Sequence, residues 1–64
     1  MLRLGDWLVK DDLSVHFNGR AILEPSGLMV QGVPDGKWVL VAAHLRQAAR
    51  QLALEAQVMQ VFEP

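Results

Sequence analysis

Cysteine is absent from this chain of 64 residues, and so are threonine and tyrosine. Without cysteine, disulfides, thiolate zinc sites and thiol nucleophiles are excluded. Serine is then the only hydroxyl nucleophile, at Ser14 and Ser26, and it needs a positioned base and an orienting group. Ser26 reads as a turn residue, and Ser14 lies about 7 Å from His16 if both are on one strand, with no third group evident. We therefore predict that the protein is not an enzyme.

The chain also lacks a large excess of either charge, because six basic and seven acidic residues leave a net charge of −1. Dedicated nucleic-acid-binding modules are commonly basic, so the composition does not indicate a nucleic-acid partner. The only histidines, His16 and His44, have no evident partners, and Asp12 with His16 matches no known metal-ligand spacing. The carboxylates are scattered and the glycines form no phosphate-binding series. The sequence predicts no metal, no cofactor and no small-molecule substrate.

Long apolar runs are missing as well. The longest, residues 38–43, is far shorter than the ~20 residues that span a bilayer. Near the N-terminus, Gly5 and Asp6 interrupt the apolar residues before a signal peptide could form. We therefore expect a cytoplasmic protein without a membrane segment.

What the chain does contain is apolar residues, at 52% of the sequence. This content and length predict a single small domain over residues 1–64, of the α+β class. The predicted architecture is an antiparallel β-meander of about four strands, made of two hairpins, with one C-terminal amphipathic helix packed on one face.

The first hairpin is predicted around Asn18 and Gly19, which join residues 13–17 to residues 20–23. Asn-Gly is the strongest short hairpin signal, because both residues tolerate the positive φ of a type I′ turn. In this register Val15 pairs with Ile22. A turn at residues 24–27 follows, since proline cannot donate to a strand ladder.

A second hairpin is predicted from residues 28–33 and 37–42, joined by Pro34, Asp35 and Gly36. Pairing from this turn places Trp38 over Gly32 on one face. The alternative is that Asp35 caps a helix starting near Lys37, but β-branched residues beside Trp38 favour strand. Residues 2–9 are predicted to form a short strand or an irregular covering segment.

The C-terminal helix is predicted over residues 43–60, where good helix formers dominate. Apolar residues recur there with helical spacing and form the face expected to pack on the sheet. They are Leu45, Ala49, Leu52, Ala56 and Met59. Phe62 is expected to dock on the domain.

The predicted second hairpin is apolar on both faces, and the helix covers only one of them. Met29, Val39 and Val41 lie on the other, so we expect them to form a self-interface in a homodimer unless residues 2–9 cover it.

The leading hypothesis is a small non-enzymatic protein–protein interaction or regulatory module.

The alternative hypothesis is a DNA-binding regulator. The predicted exposed side of the helix carries Arg46, Gln47, Arg50 and Gln51, which are side chains able to contact base edges and phosphates. The same pattern is typical of an ordinary solvated helix face, and the weak net charge favours that reading.

Overall fold

In the computed structural model, a four-stranded antiparallel sheet lies against one long helix. The elements are β1 (Leu2–Leu4), β2 (Trp7–Val9), β3 (Val15–Phe17), β4 (Arg20–Leu23) and α1 (Gly36–Phe62). Each strand pairs with its neighbour in sequence, so the sheet is a meander. The structure describes the backbone of residues 1–62 and the side chains of residues 1–58. The predicted α+β fold with a C-terminal helix on one face is confirmed.

The hairpin of β3 and β4 forms where the sequence predicts it. Asn18 and Gly19 have φ of 49° and 81°, as a type I′ turn requires. The register then shifts, because Val15 pairs with Leu23 and leaves Ile22 as the additional residue of a bulge. The predicted pairing of Val15 with Ile22 is therefore wrong. The bulge allows both Ile22 and Leu23 to be buried.

The other hairpin is β1 with β2, at the N-terminus of the chain. Gly5 and Asp6 form its two-residue turn, and Arg3 pairs with Leu8. The segment that sequence patterning read as one strand or a covering segment is thus two strands. The predicted hairpin of residues 28–33 and 37–42 is wrong.

Residues 28–30 instead run along the outer edge of β4. Met29 forms a single bridge with Leu23, and the Val30 amide donates to the Ile22 carbonyl at 2.9 Å. Because this segment covers the edge of β4, the free edge of the sheet is β1.

Residues 37–42 are helical, so the alternative with Asp35 as the cap is correct. Asp35 Oδ1 accepts a hydrogen bond of 2.9 Å from the Lys37 amide, which is the geometry of a helix N-cap. The helical turn also buries Ala42 and brings Trp38 against Phe17, with ring centroids 5.0 Å apart. These contacts outweigh the β propensity of the neighbouring valines. Trp38 does not lie over Gly32 as a cross-strand partner, since no strand forms there.

The core lies between α1 and one face of the sheet. Its buried apolar residues are Val9, Val15, Ile22, Leu23 and Ala42. Ala42 is the small side chain at which α1 approaches the sheet. The opposite face of the sheet is open and carries Arg3, Leu8, His16 and Ala21, which are aligned across the four strands. The prediction of a sheet that is apolar on both faces is therefore wrong.

Candidate binding surfaces

The C-terminal half of α1 extends beyond the sheet. A helix of 27 residues is about 40 Å long, whereas strands of three or four residues cover only about 10–13 Å. Every described side chain from Arg50 to Val58 is exposed. We call residues 51–62 the projecting half of α1. Over residues 1–62, no helix combines the length and apolar character needed to cross a membrane.

The apolar stripe of α1 continues into the projecting half. Leu45 and Ala49 pack against the core as predicted. Leu52 and Ala56 belong to the same stripe but are not packed into the core, and Leu52 is 54% exposed. The prediction that these two residues pack on the sheet is wrong, because both side chains are exposed. The side chain of Met59 and that of Phe62 lie outside the described residues.

The projecting half has few charges. Glu55 is its only ionisable residue through Val58, and Leu54 and Val58 are about half exposed. A solvated helix face normally carries more charge than this. At the base of the projecting half, Met1 and Leu2 face α1 across an apolar cleft of about 230 Å³. Its helix wall is made by Ala49, Leu52 and Ala53.

The four polar residues predicted as a nucleic-acid contact do not share one exposed face. Gln47, Arg50 and Gln51 are exposed, but Arg46 is partly buried and donates from Nη2 to the Pro25 carbonyl at 3.0 Å. Its guanidinium lies across the loop at Gly27, where an added Cβ would come within 3.2 Å of it. Arg46 therefore holds the loop against α1, and nucleic-acid binding stays a prediction that rests on three residues.

The residues predicted as a self-interface are separated as well. Met29 is exposed beside β4, whereas Val39 packs against the core from α1. Val41 is exposed on α1. Since residues 37–42 are helical, these three side chains do not line one face of a sheet.

A polar cluster of Asp12, Ser14 and His16 was missed by sequence reasoning. Asp12 Oδ1 accepts hydrogen bonds from Ser14 Oγ at 2.6 Å and from the Ser14 amide at 2.9 Å. Ser14 Oγ lies 3.1 Å from His16 Nε2. From the sequence, the spacing along a strand was expected to keep Ser14 and His16 apart. In the structure their side chains lean towards each other and are in hydrogen-bond contact. Asp12 is the third group that it did not find.

The hydrogen bonds have a defined direction. Since the carboxylate accepts the Ser14 hydroxyl proton, Ser14 Oγ accepts from Nε2–H of His16. A serine nucleophile needs the reverse direction, with its proton on histidine, so this cluster orients the imidazole rather than activating the serine. The two hydrogen bonds from Ser14 lower the pKa of Asp12 below its ordinary value of 3.8.

The second histidine, His44, is exposed on α1 and is not part of this cluster. Within the described part of the chain, no three histidine or carboxylate side chains converge to hold a metal ion.

Comparisons with protein-family models, with curated proteins and with solved structures found no match.

Proposed function

We propose that the protein is a small non-enzymatic protein–protein interaction module whose binding element is the projecting half of α1. The partner that fits this surface is a second copy of the chain. The observation that carries the proposal is the apolar stripe, which is covered as far as Ala49 and continues uncovered through Leu52 and Ala56.

A partner would also stabilise the helix itself. Isolated helices shorter than about 12–15 residues are marginal in water, because most helical stability in proteins comes from packing of an apolar face. The projecting half makes no such packing in the monomer over the side chains described. Association of two copies would supply it.

The alternation of leucine and alanine makes the stripe complementary to itself. In an antiparallel pair centred at Ala56, the two projecting halves lie along each other clear of the sheet, and Leu52 of each copy packs towards the end of the other copy's projecting half. Ala56 then lies opposite Ala56 of that copy, and this small side chain allows the helices to approach closely. Arg50 and Glu55 lie on opposite flanks of the stripe, so the contact itself carries no charge. A stripe this short predicts a weak dimer, in the class of interfaces below about 1,200 Å².

The self-association is tested by light scattering and sedimentation over a range of protein concentrations. We expect a reversible dimer that Leu52→Gln weakens at least tenfold. Leu40→Gln is the matched control, since Leu40 is 65% exposed on the other side of α1. A strictly monomeric wild-type protein, or equal effects of the two substitutions, would overturn the proposal.

The antiparallel register is tested by disulfide trapping, which is straightforward because the chain has no cysteine of its own. Ala56→Cys places two thiols next to the proposed two-fold axis, and we expect rapid formation of a covalent dimer on oxidation. Ala43→Cys is exposed on α1 but distant from the axis and should crosslink slowly. Equal rates for both variants would contradict the register.

A further inference from the structure

The open face of the sheet contains a cleft of about 400 Å³, which we call the His16 cleft. Arg3 and His16 lie on either side of Leu8, because the three residues are aligned across β1, β2 and β3. Lys10 follows two residues after Leu8 and therefore lies on the same side of the sheet. The turns at Gly5–Asp6 and Asn18–Gly19 close one end of the cleft.

The cations of this cleft are available to a ligand. Among the described residues, the side chains of Arg3 and Lys10 make neither a hydrogen bond nor a salt bridge. Asp6 is the only carboxylate among the residues that line the cleft. Asp6 precedes β2 at the turn, whereas Lys10 follows β2, so the two charges lie at opposite ends. Outside the lining, the Asp12 carboxylate also lies near Lys10 and His16, and it accepts two hydrogen bonds from Ser14.

His16 is the side chain whose orientation is fixed. The chain of hydrogen bonds through Ser14 to Asp12 holds Nε2–H of His16 and leaves Nδ1 uncommitted. Leu13 has a φ of 71°, which is rare for a leucine and turns Asp12 back towards Ser14. The backbone is thus strained at Leu13, next to the cluster of Asp12, Ser14 and His16.

We propose that the His16 cleft binds a small oxyanion, a carboxylate or a phosphate, through Arg3 and Lys10, with the oriented imidazole of His16 as one wall of the site. Guanidinium and ammonium groups are the usual partners of both anions. The half-buried Leu8 supplies an apolar floor, and the volume lies at the lower end of the range for small-molecule sites. This proposal is independent of the proposed dimer, since the cleft lies on the face of the sheet opposite α1.

The experiment is a titration of the ¹⁵N-labelled protein with inorganic phosphate and, separately, with acetate, at constant ionic strength set by chloride. We expect saturable amide shifts confined to residues that line the cleft. Arg3→Gln and Lys10→Gln should each weaken binding at least fivefold. Both replaced side chains are exposed, so the fold is retained and the spectrum reports it.

Arg50→Gln is the matched control, because it removes an exposed cation on α1 far from the cleft. It should leave the dissociation constant unchanged. Saturation by phosphate alone or by acetate alone supports the site and identifies its ligand. Shifts that stay linear and match those caused by chloride overturn the proposal, and so does equal weakening in Arg50→Gln.

Discussion

Replacing Ile22 by valine removes one methyl group from a side chain that is 0% exposed. Burial of one such group contributes about 0.8 kcal/mol, and Ile→Val in protein cores costs about 0.5–1.5 kcal/mol. Ile22→Ala removes three side-chain carbons and leaves a larger cavity, for which about 2–5 kcal/mol is typical. A domain of this length has a total stability of roughly 3–10 kcal/mol. We therefore expect the valine variant to fold and the alanine variant to lose much of its stability.

The assay is urea unfolding followed by circular dichroism, with all variants at the same protein concentration. Ile22→Val should lower the free energy of unfolding by about 1 kcal/mol, which is about 4–8 °C in Tm for a domain of this size. Leu28→Ala is the control, because Leu28 is 66% exposed and should change stability by less than about 0.5 kcal/mol. A cost below about 0.3 kcal/mol for Ile22→Val, or a larger cost for Leu28→Ala, would refute the core assignment.

Two further predictions concern single polar contacts. Asp35→Ala removes the cap of α1 and should destabilise the protein by about 0.5–2 kcal/mol; Asp35→Asn should restore most of this in the same urea assay, and equal losses would argue against capping. Asp12 has a lowered pKa in the folded protein, so its contribution to stability is present above its unfolded value of 3.8 and is lost as the pH falls through the lower, folded value. Unfolding measured from neutral pH to about pH 2 should therefore show less acid dependence in Asp12→Asn than in wild type, and identical profiles would contradict this role for the carboxylate.

Sequence reasoning succeeded where local chemistry decides the structure. Asn18 and Gly19 adopt the positive φ values that define their turn, and few residue pairs do this readily. The helix from residue 43 onward also follows from composition and spacing. Both features depend on residues close together in the chain.

It failed where several local signals compete or where a contact between distant residues decides. Val39 and Val41 favour strand, but the Asp35 cap and the packing of Trp38 on Phe17 make their segment helical. At the N-terminus, the turn at Gly5 and Asp6 was read as an interruption and not as the centre of a hairpin.

The candidate sites were harder to predict for related reasons. Periodicity identifies the apolar stripe of α1 but cannot show where the sheet beneath it ends. The cluster of Asp12, Ser14 and His16 depends on the positive φ of Leu13, a conformation that leucine seldom adopts. No pattern of residue types indicates such a backbone.

One continuous helix carries both the core contacts of Trp38 and Ala42 and the uncovered stripe at Leu52. Any partner that binds the projecting half only in its helical form must therefore shift the folding equilibrium of the whole domain. By mass action, a partner present at 100 times its dissociation constant adds about 2.7 kcal/mol. For a domain with so few buried side chains, that is a large share of its stability. The abundance of the folded protein would then follow the concentration of its partner.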